Sequence, residues 1–221
     1  MLSFEKVWDL YQKQYHPTHI FPHHPAPKKE TQVVRSLLEI EDQFDILLLD
    51  GFGVLNIGGS SVPHMPEVIK TLQTRGKEAF VLTNGASYPT HIRAKIYPTL
   101  GYEIPKTHII SSRDAVEAML PDHPITQSGG TWAVIVGPNA HIDEMPANTV
   151  LLSEENIDTV EGFIFLATSY WDETWQEKLL TSLKAHPRPL IIGNPDVSAP
   201  LENSFSVEHG YYTFELLKAI P

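Results

Sequence analysis

The stretch Asp45-Ile46-Leu47-Leu48-Leu49-Asp50-Gly51-Phe52-Gly53-Val54-Leu55 runs an apolar strand into a lone carboxylate set in a glycine-flanked turn. The consecutive aliphatics Ile46 to Leu49 fit a strand covered on both faces, as in parallel sheets. Gly51 and Gly53 relax the backbone enough for a ligand to approach main-chain N–H groups. Asp50 then stands at the carboxyl end of the strand, where open α/β sheets bind ligands. An Asp beside Gly also serves turn geometry alone, so the rest of the chain must decide between the two.

A second strand of the same kind lies some thirty residues on. Ala79 to Leu82 is apolar and ends in Thr83-Asn84-Gly85-Ala86-Ser87, which brings hydroxyl and amide groups to the same sheet edge. Between the two strands, Pro66 near the start and Gly76 beyond the end frame a helix with Val68, Ile69 and Leu72 facing inward. The alternation continues with a helix around His91 to Leu100 stopped by Gly101, a strand His108 to Ile110 and a helix around Asp114 to Leu120. Three β-α units in succession predict a parallel sheet with right-handed crossovers.

After the polar stretch Pro121 to Gly130 a second alternating set begins. It has strands near Trp132 to Val136, Val150 to Leu152, Phe163 to Ala167 and Leu190 to Ile192, with a long helix from Trp171 to Ala185. The stripe Trp171, Trp175, Leu179, Leu180 and Leu183 has core spacing rather than that of a ligand cage. This second set reads as a separate, lid-like domain.

Composition narrows the function. A net charge of −11 argues against a nucleic-acid binder, whose affinity rests on clustered Lys and Arg. The absence of cysteine removes disulfides, thiolate zinc sites and cysteine nucleophiles together. No apolar run reaches the roughly 20 residues needed to span a bilayer. The amino terminus lacks a basic region followed by an apolar core. The chain therefore reads as soluble, cytoplasmic and without a membrane partner. Residues 1–30 read as an appendage, with a short helix from Phe4 to Tyr11 followed by Pro17, Pro22, Pro25 and Pro27. His16, His19, His23 and His24 invite a metal site, but interleaved prolines and the lack of a carboxylate partner favour a solvated arm. The active site is not expected there. From Thr31 a helix through Val34, Leu37 and Leu38 leads into the Asp50 strand.

The Asp50-Gly51-Phe52-Gly53-Val54-Leu55 turn, Thr83-Asn84, Gly193-Asn194-Pro195-Asp196 and the order of elements between them carry a family resemblance. The chain resembles subfamily IIA of the haloacid dehalogenase superfamily, which contains p-nitrophenyl phosphate, phosphoglycolate and ribonucleotide phosphatases. The likeness runs from about Thr31 to the end. Positions 51 to 82, 32 residues, hold one crossover helix but no inserted cap, so the cap falls later, as in that subfamily. The resemblance implies an α/β fold: a Rossmann-like parallel-sheet core with an inserted α/β type 2 cap. Residues 31–122 form the first part of the core, 123–205 the cap and 206–221 a return helix.

The same resemblance implies phosphomonoester hydrolysis on a small phosphorylated metabolite. Asp50 forms an aspartyl phosphate, with Mg²⁺ held between its carboxylate, the Phe52 carbonyl and the phosphate. Thr83 hydrogen-bonds a phosphoryl oxygen, Asn84 positions substrate or loop, and Gly51, Phe52, Gly53 and Gly85 share in binding phosphate. His141, Tyr170 and Trp171 are cap candidates for substrate contact, and Asp196 reads as a turn former. Caps of this subfamily pair, which allows a homodimer through the cap.

Two departures stand against turnover. Phe52 occupies the position of the family's general acid-base Asp, whose loss forfeits ~10²- to 10⁴-fold in rate. The family's later Lys and its Gly-Asp-x-x-x-x-Asp segment have no counterpart here, an expected shortfall of roughly 60 residues at ~30 per β-α unit. The sequence reading is therefore a truncated portion of a longer enzyme. Its alternative is a degenerate, non-catalytic binding or scaffold protein that keeps the phosphate cradle.

Overall fold

The computed structural model describes residues 3–12 and 32–220. The His16 to His24 segment, expected as a solvated arm, lies outside the described residues. Helix α1 (Phe4–Leu10) is capped by the Ser3 hydroxyl and buries Val7 and Leu10. The helix expected through Val34 and Leu38 is a 3₁₀ turn, Leu37–Gln43, broken at Ile40. Strand β1 (Ile46–Leu49) follows it, and β2 (Asn56–Ile57) and β3 (Ser60–Ser61) make a small hairpin beyond Asp50. Next come α2 (Met65–Thr74), β4 (Glu78–Thr83), α3 (Thr90–Arg93), α4 (Ile96–Thr99), β5 (Ile109–Ser111) and α5 (Ser112–Met119).

Strands β1, β4 and β5 form a three-stranded sheet in that order, parallel throughout. Leu49 stands opposite Val81, so Asp50 follows β1 level with Leu82, one residue before Thr83 ends β4. The first face of this sheet carries Leu47, Leu49, Ala79, Val81 and Ile109, packed on Ile69 and Leu72 of α2 and Tyr97 of α4. Burying aliphatic side chains of this size stabilises by about 1.5–3 kcal/mol each. The second face departs from the expectation of a strand covered on both sides. Ile46, Leu48, Leu82 and Ile110 stand 50–69% exposed on it. Among the described residues helices pack on one face of the sheet and β1 has a neighbour on only one edge. The period-2 alternation of a half-buried strand is therefore present in burial though absent from the residue types.

The second sheet comprises β6 (Thr131–Ile135), β7 (Asn148–Leu151), β8 (Gly162–Phe165) and β9 (Leu190–Ile192) in the order β7-β6-β8-β9, all parallel. Short α6 (Pro124–Gln127) leads into it. Here both faces are covered. Ala133, Ile135, Phe163 and Phe165 pack against Trp171, Leu179 and Leu183, the last two on α7 (Glu173–Ala185). Trp132, Val134, Ile164 and Leu166 pack against Val116 and Leu120 at the end of α5. The Trp171 to Leu183 stripe is thus core, and α5 serves both lobes. Helix α8 (His209–Ala219), expected as a return to the core, lies against α7 and β9 and puts Leu216 into the cluster of the second sheet. Among the described residues no helix is long and apolar enough to cross a membrane.

Candidate functional site

Asp50 leaves β1 exposed, and its Oδ1 accepts a hydrogen bond from the Gly51 N–H at 2.6 Å. The turn is held from beneath, because the Gly51 carbonyl accepts from the N–H groups of Leu55 at 2.8 Å and Asn56 at 3.0 Å. Gly51 is needed for close approach: a Cβ there would sit 3.0 Å from the Thr83 hydroxyl at the neighbouring strand end. Gly53 takes φ +88°, which side chains rarely adopt, and its N–H donates to the Asn56 carbonyl at 2.7 Å.

Thr83 is buried and its Oγ1 accepts the Gly85 N–H at 3.2 Å. Asn84 points into solvent-exposed space and donates its amide to both oxygens of Asp196, at 3.0 and 3.1 Å. That bond ties the end of β4 to the loop after β9. The loop is a tight Asn194-Pro195-Asp196 turn in which the Asp196 N–H donates to Asn194 Oδ1 at 2.8 Å. The Asp196 carbonyl then accepts the Gly210 N–H of α8 at 2.8 Å.

These ends enclose a cavity of about 450 Å³. Of the residues expected from sequence, Asp50, Phe52, Thr83, Asn84 and Gly85 line it. Gly51 and Gly53 form its supporting turn. Tyr170, His141 and Trp171 stand elsewhere: Tyr170 is 69% exposed beside smaller clefts, and Trp171 packs on Phe165 at 5.0 Å. Sequence reasoning missed Asp196 as more than a turn former, together with Glu208, His209 and Tyr11, all of which line the cavity. Tyr11 belongs to the segment kept away from the site. Val7 and Leu10 of the adjoining α1 are buried.

The cavity is acidic. Partial burial pushes the Asp50 carboxyl above its ordinary value, the Gly51 N–H pulls it down, and the Asp196 charge pushes it up again. Burial likewise raises Glu208, against the pull of the Ser206 hydroxyl that donates to it at 2.5 Å. His209, 3% exposed, is driven down to about 4 by burial. The Leu166 backbone favours its proton but stands outside hydrogen-bond geometry. His209 is therefore a neutral ring at ordinary pH.

The fold and the site together define a two-lobed α/β protein with an acidic cavity at the carboxyl ends of parallel strands. Residues 47–145 match the family described as haloacid dehalogenase-like hydrolase. Over that stretch, a little under half of its length, the chain is similar to this family. No curated protein sequence matches it. Among solved structures it is similar to a possible sugar phosphatase from Cytophaga hutchinsonii, at 20% identity and a TM-score of 0.72, over 85% of this chain and 68% of that one. It is similar to 4-nitrophenylphosphatase from Thermotoga maritima at 14% identity and a TM-score of 0.63, over 82% and 66% of the two chains. A glycerol phosphate phosphatase from Mycobacterium tuberculosis, solved with calcium, aligns at 16% identity and a TM-score of 0.62, over 82% and 52%. The chain thus spans 52–68% of the length of these structures.

Proposed function

We infer that the cavity receives the phosphoryl group of a small phosphorylated metabolite and that the chain works in phosphomonoester hydrolysis through Asp50. The observation that carries this reading is the convergence of Asp50, Thr83 and Asn84, from two adjacent parallel strand ends, on one cavity of about 450 Å³. Phosphatases among the solved relatives support it.

With Oδ1 engaged by the Gly51 N–H, Asp50 Oδ2 is the oxygen left to attack phosphorus. An O–P bond forms to Asp50 as the bond to the leaving oxygen breaks, and water then hydrolyses the aspartyl phosphate. The Thr83 hydroxyl and the N–H groups of the following loop share the developing phosphoryl charge. Phe52 offers no proton to the leaving oxygen. Glu208, whose carboxyl burial pushes above its ordinary value, lines the same cavity and is the candidate to supply one.

The donor set suits a hard divalent cation such as Mg²⁺. The Asp50 carboxylate, the Phe52 carbonyl and the Asp196 carboxylate are all oxygen, and the mutual repulsion of the two carboxylates is what a cation relieves. Bound there, Mg²⁺ would polarise a phosphoryl oxygen and neutralise its charge. A relative has been solved with magnesium. A cytoplasmic location and a homodimer through the second sheet belong to the same proposal.

One observation favours a second reading, a phosphate-binding protein without turnover: Phe52 stands where a leaving-group acid would, 40% exposed at the cavity. Beryllium fluoride with Mg²⁺ separates these readings when combined with a turnover assay. Either reading expects stabilisation by about 2.7 kcal/mol at a hundredfold excess over the dissociation constant, abolished by Asp50→Asn. Turnover of p-nitrophenyl phosphate above the Asp50→Asn background selects the hydrolase. A shift that survives Asp50→Asn removes the assignment of Asp50.

A further inference from the structure

We propose that His91, His141 and Glu144 form a binding site for a borderline divalent transition metal of the zinc class, placed where the two lobes meet. Among the described residues theirs is the one group of three His, Asp or Glu side chains whose ligand atoms all lie within 4.8 Å of one another. Glu144 sits between the imidazoles, with Oε1 at 3.1 Å from His141 Nδ1 and Oε2 at 3.6 Å from His91 Nδ1. The rings meet edge to face, 5.8 Å between centroids and 80° between planes. Tetrahedral zinc with ligands at about 2.0–2.2 Å separates its ligand atoms by about 3.4 Å, so small side-chain adjustments would bring one ligand atom from each residue to that spacing.

The two imidazoles arrive from different lobes, and neighbouring residues of α5 hold them in place. His91 lies in α3 on the Asp50 lobe, and the hydroxyl of the adjacent Thr90 donates to Asp114 at 2.6 and 2.7 Å. His141 and Glu144 lie in the connection between β6 and β7. Arg113, fully buried, donates to the carbonyls of Ala140 at 3.3 Å and His141 at 3.1 Å. His141 is also fixed in the left-handed region at φ 51°, a conformation that persists only where surroundings impose it and that recurs at ligand clamps. The three side chains remain 37–42% exposed, which leaves an open coordination position towards water.

Two imidazoles with one carboxylate select zinc, cobalt or nickel over magnesium, which prefers oxygen donors. The site is distinct from the Asp50 cavity and does not depend on the phosphatase reading. A metal here would clasp the loop after β4 to the second sheet.

The test measures zinc retained by the full chain after exhaustive dialysis, together with the zinc-dependent rise in melting temperature. His16, His19, His23 and His24 are replaced by Ala in every sample, so that they bind none. The expected result is a single equivalent of zinc and a rise in melting temperature, both lost in His91→Ala and in Glu144→Gln. His141→Asn, which keeps a residue tolerant of the left-handed backbone, should lose them too. Magnesium chloride alone should give neither at this site. Cobalt in place of zinc should show visible absorption, lost in the same variants. Zinc retention unchanged by all three substitutions, or no zinc retained by the parent, overturns the proposal.

Discussion

Gly210→Ala is expected to unseat α8 from the loop that carries Asp196, because the new methyl group would have nowhere to go. Its Cβ would lie 1.9 Å from the Pro195 carbonyl oxygen and 2.7 Å from that of Asp196. Both are main-chain atoms, so no side-chain rotation relieves the overlap. Restoring even a 3.0 Å separation needs a shift of 1.1 Å at the N-terminus of α8, where the Gly210 N–H reaches the Asp196 carbonyl at 2.8 Å. Alanine would otherwise favour the helix by about 1 kcal/mol, against an overpacking cost of about 3 kcal/mol at the upper end of its usual range. The overlap wins by about 2 kcal/mol, which for a chain of this size lowers the melting temperature by about 4–8 °C. Since the same shift moves Asp196 away from Asn84, the stabilisation by beryllium fluoride and Mg²⁺ should shrink in parallel. Gly59→Ala, with nothing within 4 Å of the added carbon, is the control and should stay within about 0.5 kcal/mol of the parent. A Gly210→Ala protein that melts at or above the parent temperature would refute the close docking of α8 on the Asp196 turn.

Two further outcomes rest on the cavity. His209 has a folded-state value of about 4 against an ordinary value near 6.5, so folding disfavours its proton. The stability it permits is fully present above about pH 6.5 and is lost as pH falls towards 4, a loss on the order of 3 kcal/mol. His209→Leu should flatten that acid limb in urea unfolding measured from pH 7 to 4, and an unchanged limb refutes the assignment. Phe52→Asp should raise alkyl phosphate hydrolysis by up to ~10²- to 10⁴-fold while helping p-nitrophenyl phosphate much less, since nitrophenolate leaves without a proton. Equal gains on both substrates would count against a missing leaving-group acid.

The parallel sheets, the glycine turn at Asp50 and the Thr83 strand end were legible because each rests on local pattern: apolar runs, punctuating glycines and prolines, and polar groups at strand termini. The burial of β1 was not legible. Ile46 to Leu49 carry no alternation in residue type, and only the number and placement of packed helices decides that Leu47 and Leu49 are covered while Ile46 and Leu48 are not. The acidic side of the cavity was hidden for a different reason. Asp196 lies 112 positions from Asn84, and Glu208 and His209 come still later, so their convergence depends on how the second sheet returns the chain. Tyr11 was missed because a short helix before a proline-rich segment gives no sign of where it docks. The His91, His141 and Glu144 group is scattered in the same way across two connections, with no motif spacing to reveal it.

The strand that presents Asp50 is joined to the described sheet through β4 alone. In a parallel pair, successive residues of one strand aim their amides alternately towards and away from the neighbour. Amide exchange along Ile46 to Leu49 should therefore be two-toned, slow at every second residue and near solvent rates between. The carboxylate is thus mounted on a beam hinged along one side. Whatever engages the side of β1 that has no neighbour among the described residues would slow the fast half of that pattern, so β1 exchange would report a neighbour directly, independently of catalysis.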